Sequence, residues 1–183
     1  MNGMQPAMAE PVPNAPPFEV VYRDNYAHVW RALRRLGVPA RDVEDAAHEV
    51  FVVVHRRLVD YDPTRPIRPW LTGICHRIAL AERRRARNKR ELLGAPADLD
   101  RRRCERDGPE QDAHRRDRRQ LVLDALQTLD MDRRLVFVMH ELDEVACPEI
   151  ARTLDVPLNT VYSRLRVARA RFAAAVKSVR SES

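Results

Sequence analysis

Residues 148–172 read PEIARTLDVPLNTVYSRLRVARARF, and this stretch decides the fold because it contains two helices joined by a tight turn. Pro148 suits the first turn of a short helix ending at Leu154, because its missing amide hydrogen costs nothing there. Asn159 is a good N-cap for a longer second helix. Apolar residues then recur at steps of 4, 3, 4 and 4, which predicts one buried stripe formed by Val161, Leu165, Ala168, Phe172 and Val176.

A short helix, a brief turn and an amphipathic second helix describe a helix-turn-helix, in which the second helix enters the DNA major groove. Tyr162, Ser163 and Arg166 point away from the stripe and are therefore predicted to face DNA bases. Thr160 is predicted to lie in the exposed first turn, within reach of a phosphate or a base. The flanking positions, suited to backbone phosphates, are Arg164, Arg169, Arg171 and Lys177. An ordinary helical hairpin with solvated arginines is the alternative.

The net charge of +6 is concentrated in one run, outside which basic and acidic residues balance. Six positive charges fall within eight residues: Arg83, Arg84, Arg85, Arg87, Lys89 and Arg90. Such a run is typical of a polyanion contact, although a solvated helix end has the same composition.

The composition favours helices and excludes several classes of protein. The chain of 183 residues has only 5 Gly, and 33% of its residues are charged. Few glycines leave little material for phosphate-binding loops. Cys75, Cys104 and Cys147 lack zinc-ligand spacing, so neither a metal, a cofactor nor a disulfide is expected. The absence of a long apolar run or a signal peptide predicts a cytoplasmic protein without membrane insertion.

The chain divides into four segments. Residues 1–17 are rich in Pro and Ala and are predicted to be a disordered leader. Residues 18–90 form a first helical block, and 116–180 form a second. Between them, 91–115 is polar and contains Gly and Pro, which predicts a flexible linker.

Three helices are predicted in the first block. The first covers 18–36 and the second 42–58. The second helix carries a buried stripe of Val43, Ala47, Val50, Phe51, Val54 and Leu58, and its first half is acidic. After a loop at 60–69, the third helix directs Trp70, Leu71, Ile74, Ile78 and Ala81 inward and runs into the basic cluster. In the second block, further helices are predicted near 116–129 and 131–142.

Both blocks resemble the extracytoplasmic-function (ECF) sigma factors. The segment 121–176 is similar to region 4 of that family, whose pattern is E-I-A-x-x-L-x-V-P-x-x-T-V-x-S-R-L-x-x-A-R. Residues 42–58 (DVEDAAHEVFVVVHRRL) and 61–74 (YDPTRPIRPWLTGI), followed by the basic helix, resemble region 2. The resemblance implies an all-α protein with two small domains, a three- or four-helix bundle and a helix-turn-helix.

The resemblance also implies a non-enzymatic role in transcription initiation, with roles for matching positions. Core RNA polymerase would be bound by Asp45, His48 and Glu49. The −10 element and its separated strand would be bound by Tyr61, Arg65, Arg68, Trp70, Arg77, Arg83, Arg84 and Arg85, although Trp70 is favoured as a core residue. The −35 element would be bound by Thr160, Tyr162, Ser163, Arg164, Arg166 and Arg169. The expected partners are core polymerase, promoter DNA and an anti-sigma factor.

Several positions depart from the family pattern. His48 stands where Gln is usual, and Arg77 where Asn is usual. Asp155 and Asn159 replace frequent glycines, and Tyr162 replaces a Lys or Arg. If the turn needs a left-handed residue at 155, Asp tolerates that backbone better than most. These departures leave the promoter sequence unpredicted.

Two other functions fit parts of the sequence. One is a helix-turn-helix regulator that binds DNA without polymerase and uses its first block as a sensor or dimerisation domain. The other is a nuclease or recombinase whose metal site is drawn from Asp42, Glu44, Asp45, His48 and Glu49. Against the enzyme, Asp45 and Glu49 lie one turn apart on one helix, with no Cys or His partner elsewhere at ligand spacing.

Overall fold

Seven α-helices make up most of the chain in the computed structural model, which describes residues 16–93 and 113–181. Their bounds are α1 Phe18–Arg35, α2 Val43–Arg57, α3 Ile67–Leu93, α4 Ala113–Gln127, α5 Met131–Phe137, α6 Cys147–Leu154 and α7 Leu158–Ser181. Short 3-10 turns precede and follow α2, and α5 continues into a π-helical turn, Val138–Leu142. The two described ranges contain no strand, so the all-α fold class is confirmed.

The first three helices, here the first unit, share one apolar core. The stripe predicted for α2 is confirmed, because all six of its residues are buried. Leu33 from α1 and Leu71 from α3 are both 0% exposed and pack into the same core. The helix α3 begins at Ile67, earlier than predicted, because Pro69 in a first turn loses no intrahelical hydrogen bond.

The helices that border the predicted linker extend a few residues into it at both ends. The helix α3 continues to Leu93 and α4 begins at Ala113, so residues 91–93 and 113–115 are helical. Arg, Glu, Leu and Ala are all strong helix formers, which explains the extension. The rest of the predicted linker, 94–112, and residues 1–15 of the predicted leader lie outside the described residues.

The last four helices, here the second unit, pack around α7. Val161, Leu165 and Ala168 are buried as predicted, while Phe172 is half-buried with its ring centroid 4.6 Å from that of Phe137. The N-cap prediction for Asn159 is wrong. With Asn159 as N-cap the helix would begin at Thr160, but α7 begins two residues earlier, at Leu158, and the carbonyl of Pro157 accepts from the amide of Thr160 at 2.9 Å.

The two units pack against each other through a buried arginine. Arg134 of α5 is 1% exposed, and its Nη1 donates to the carbonyl oxygen of Leu36, the residue that closes α1, at 3.0 Å. Its Nη2 donates at 2.9 Å to the carbonyl of Leu129, just after α4. The guanidinium therefore lies between two helix C-termini, whose partial negative charge suits a cation. Burial and the nearby charge of Arg83 lower the pKa of Arg134 to about 10, so it remains charged at neutral pH.

Gly37 makes this contact possible. Its φ of +95° is a left-handed conformation that lets the chain turn sharply out of α1. A Cβ at this position would lie 2.5 Å from Nη1 of Arg134 and 2.9 Å from Oε1 of Gln127. Any side chain would therefore push the arginine out of its place between the helix ends.

We expect Gly37→Ala to lower the free energy of unfolding by about 1–3 kcal/mol, because it adds backbone strain and displaces the guanidinium. Urea denaturation followed by circular dichroism measures the change. Gly73→Ala is the matched control, since the nearest atom to its Cβ would be Thr153 Cγ2 at 3.7 Å. In a helix that substitution is expected to be neutral or to stabilise by about 0.5–1 kcal/mol. Equal losses in the two variants would contradict the assignment.

Candidate nucleic-acid interface

The helix-turn-helix is formed by α6, a turn at Asp155–Pro157, and α7. Asp155 ends α6 in a left-handed conformation, with φ +53° and ψ +51°, which confirms the expectation for this position. The amide of Val156 then donates to the carbonyl of Ala151 at 3.0 Å and closes the helix end. This closure fixes the direction in which α7 leaves the turn.

The outer face of α7 presents the residues that the sequence predicted to face DNA. Tyr162 is 51% exposed, and Ser163 and Arg166 are also exposed, while Val161 on the opposite face is 0% exposed. Thr160 is half-buried in the first turn. The face therefore offers a phenol, a hydroxyl and a guanidinium, all of which can bind base edges.

Two flanking arginines are paired with acids of the same unit. Nη2 of Arg164 donates to Asp132 at 2.6 Å, and Arg169 donates to Glu141 at 2.7 Å. Asp132 belongs to α5 and Glu141 to the π-helical turn, so both pairs tie α7 to its neighbours. Since the pairs are solvent-accessible, they are weak enough to be exchanged for DNA phosphates.

The basic cluster forms an exposed surface on the second half of α3. Arg83, Arg84, Arg85 and Arg87 are exposed, as is Arg77 one to two turns earlier; the side chains of Lys89 and Arg90 lie outside the described residues. Arg85 was predicted to contact the separated DNA strand. In the structure its guanidinium is paired, because Nη1 donates to Glu49 at 2.9 Å and also to Glu82. It therefore links α3 to the acidic face of α2.

The loop before α3 contains Tyr61, which the sequence predicted to contact DNA. Tyr61 is only 7% exposed, its ring lies 5.1 Å from that of Trp70, and its hydroxyl donates to the carbonyl of Arg65. Burial raises the pKa of the Tyr61 phenol. Tyr61 is therefore largely buried here and holds the loop in shape, and its contact with DNA stays a prediction. Trp70 is half-buried against the core, as favoured from the sequence, and Arg68 remains exposed.

Arg65, another predicted DNA contact, is bound by the second unit. Its Nη2 and Nε donate to Oε1 of Glu149 at 2.6 and 3.1 Å, and Nη2 also donates to the Thr153 hydroxyl at 3.2 Å. Burial alone would raise the pKa of Glu149, but the hydrogen bonds and charge of Arg65 outweigh it and hold that pKa below its ordinary value. Sequence reasoning missed Glu149 because no local pattern reveals a partner 84 residues away.

The predicted polymerase-binding residues lie on the outer face of α2. Asp45 and His48 are exposed, whereas Glu49 is half-buried and paired with Arg85 at 2.9 Å. Val52, one turn beyond His48, is 37% exposed, so an apolar side chain shares this face. The sequence marks Val52 as an apolar residue of α2 that lies outside the buried stripe, and this signal could have identified it.

Neither a metal site nor a membrane span is found in the described parts of the chain. Within 16–93 and 113–181, no group of three or more His, Cys, Asp or Glu residues could hold a metal ion. No helix in those ranges is long and apolar enough to cross a membrane.

This geometry defines a class of protein, namely a DNA-binding protein with two helical units. Comparison with known families identifies the protein further. Residues 21–89 match the model described as Sigma-70 region 2, and 119–172 match that described as Sigma-70, region 4. The two matches together span more than half of the chain. The protein therefore belongs to the sigma-70 family of RNA polymerase sigma factors, and its relatives include factors of the ECF type.

Individual relatives agree with this assignment. The chain is 32% identical to the RNA polymerase sigma factor CnrH of Cupriavidus metallidurans over 79% of its own length and 78% of the relative. It is 30% identical to NccH of Alcaligenes xylosoxydans xylosoxydans, covering 81% and 80%. The solved complex of CnrH with the cytosolic domain of CnrY superposes with a TM-score of 0.62 at 27% identity, over 88% of each chain.

A more distant structure shows the fold alone. RpoE of Bartonella quintana, solved with the anti-sigma factor NepR, superposes with a TM-score of 0.64 at 18% identity, over 86% of this chain and 98% of that one.

Sigma factors bind core RNA polymerase and direct it to promoter DNA, and they are not enzymes. Initiation at promoters is therefore the function of this protein.

We expect Asp155→Ala to destabilise the protein by about 1–2 kcal/mol, because a left-handed backbone brings Cβ too close to the next carbonyl. Asp155→Gly removes that clash and should raise the melting temperature or leave it unchanged. Thermal denaturation followed by circular dichroism compares the two. If Ala is tolerated as well as Gly, the turn does not depend on this backbone conformation.

Proposed function

We propose that the first unit binds the −10 promoter element and that the second unit binds the −35 element as duplex. The observation that carries the proposal is the outward face of α7, the second helix of the helix-turn-helix, where Tyr162, Ser163 and Arg166 are exposed. Such a helix places its first turns in the major groove, and Arg166 can donate two hydrogen bonds to guanine.

The first unit is suited to a separated DNA strand. The exposed arginines of α3 line one helix and supply sequence-independent contacts to phosphates, while Arg68 and the edge of Trp70 lie where the helix begins. Stacking and pockets for unpaired bases would offset an unstacking cost of about a few kcal/mol per base. Tyr61, which is largely buried, packs against Trp70 at this surface.

Core polymerase is proposed to bind the outer face of α2. Asp45 and His48 supply charge and hydrogen bonds there, and Val52 supplies an apolar contact in the middle of a polar surface. Interfaces typically combine such an apolar centre with a polar rim. Binding to core polymerase would set the separation of the two units and so raise the effective concentration of each at its element.

We propose an anti-sigma factor as a further partner, and the cytoplasm as the place of action. Support for the partner comes from CnrH and from RpoE of Bartonella quintana, each of which was solved in complex with a second protein. The location follows from the proposed association with core polymerase and DNA.

Arg166→Ala tests the −35 assignment in run-off transcription with purified core polymerase on a genomic promoter library. We expect losses of about 1–3 kcal/mol, or about 5- to 150-fold, at promoters where Arg166 meets a guanine, and little loss elsewhere. Arg23→Ala, which removes an exposed arginine from α1, is the control and should leave transcription unchanged. A uniform loss at every promoter would show that Arg166 contacts only phosphate.

Asp45→Lys tests the polymerase-binding face. Charge reversal at an interface mainly introduces repulsion, so we expect association with core polymerase to weaken by about tenfold or more while the helical signal stays unchanged. Asp24→Lys makes the same change at an exposed residue of α1 and should not affect association. Fluorescence anisotropy of labelled chain with core polymerase measures both, and equal affinity of the two variants would exclude the α2 face.

A further inference from the structure

The arginines of α7 whose side chains are described fall into two groups. Arg166 and Arg171 are exposed and have no ion pair within the described ranges. Arg164 and Arg169, here the edge arginines, are each paired with an acid from another element of the second unit. At about 100° per residue they lie about 140° apart, on opposite edges of the buried stripe. Because a helix in the major groove has a phosphate backbone on either side, both edges face the approach of phosphates.

The acid that pairs with Arg169 lies in the π-helical turn. Oε1 of Glu141 accepts from Nε of Arg169 at 2.7 Å and lies 2.7 Å from Nη2. The amide of Asp143 donates to the carbonyl of Val138 at 3.0 Å, a bond that reaches five residues back and closes the turn. The carboxylate is therefore carried by a bonded turn of the backbone rather than by a loose loop.

The opposite edge of α7 repeats this arrangement. Nη2 of Arg164 donates at 2.6 Å to Oδ2 of Asp132, which lies in the first turn of α5. A different element supplies the acid, yet the charge of an edge arginine is again balanced within the second unit. Carboxylate and phosphate oxygens both suit a guanidinium, so each acid and the DNA backbone compete for the same donors.

The strength of these pairs allows competition in both directions. The side chains of Arg169 and Glu141 are 54% and 32% exposed, and exposed ion pairs change an equilibrium by about 1.5- to 5-fold. DNA phosphates can therefore displace the acid, but at a measurable loss of affinity. Each phosphate contact also adds about 0.9 to the slope of log affinity against log salt concentration. An arginine that is already paired contributes less to that slope, because its charge is already balanced.

We propose that Asp132 and Glu141 compete with DNA phosphates for the edge arginines and so limit the affinity of the second unit for the DNA backbone. The proposal rests on the proposed binding of α7 to the −35 element. Contacts to phosphates carry no sequence information, whereas contacts to base edges do. By weakening the former, the two acids make binding depend on the bases that the outward face of α7 meets.

Glu141→Gln is the sharper test of this competition, because Asp132 also lies 4.0 Å from His76 of the first unit. Glu144→Gln is the matched control. It removes the same charge three residues further along the chain, from an exposed side chain that has no ion pair in the part of the chain that the structure describes. A general effect of net charge would appear equally in both variants.

The probe is a fluorescein-labelled duplex of a promoter found by run-off transcription, together with the same duplex carrying a replaced −35 element. Each is titrated with holoenzyme, assembled from core polymerase and the full chain, between about 50 and 200 mM salt. We expect Glu141→Gln to bind both duplexes about 1.5- to 5-fold more tightly. Its salt slope should be steeper by up to about 0.9. Glu144→Gln should change neither quantity, and adding Arg169→Gln should abolish the gain.

The outcomes separate a failure of the competition from a failure of the proposed function. The competition would be overturned by a Glu141→Gln holoenzyme with unchanged or weaker affinity, or by a gain that Glu144→Gln matches. A gain confined to one duplex, or one that survives Arg169→Gln, would overturn it as well. If the unmodified holoenzyme binds both duplexes equally, the proposed recognition of the −35 element is refuted instead.

Discussion

The buried guanidinium of Arg134 is the interaction on which the arrangement of the chain depends. An arginine taken out of water without a hydrogen-bonded acidic partner is costly. Here the guanidinium donates to backbone carbonyls at the ends of α1 and α4 and to the Gln127 amide oxygen, and the nearby charge of Asp130 also favours the cation. Its Nε has no hydrogen-bond partner among the described residues. The contact is therefore specific in geometry, although one donor of the guanidinium is left without a partner within the described ranges.

The same balance appears throughout the interface. Apolar residues of the two units form one continuous cluster, so docking removes surface from water. Polar contacts such as Arg35–Asp143 then select one orientation. Charged groups of both units lie at the interface. If the units were separated, water could solvate these groups, so the exposed surface would not be wholly apolar.

Local features of the fold could be predicted from the sequence, whereas contacts between distant segments could not. The periodicity of α2 and α7 identified their buried faces, and the outward position of Tyr162 and Ser163 followed from the same repeat. The start of α7 was misplaced because a good capping residue, Asn159, lies one position inside a helix whose first amides bond to Pro157. The pattern of arginines predicted where positive charge lies, but not that Glu49 and Glu149 would pair with two of them, since pairing depends on tertiary packing.

The long helix α3 has a further consequence for the distance that the chain can bridge. Because α3 extends to Leu93 and α4 begins at Ala113, only residues 94–112 remain to connect the units. At about 3.3–3.6 Å per residue, that tether spans at most about 65–70 Å. Promoter elements that are about 17 base pairs apart are separated by about 60 Å. The tether, together with the width of the units themselves, can therefore cover that distance while α3 and α4 keep their full length.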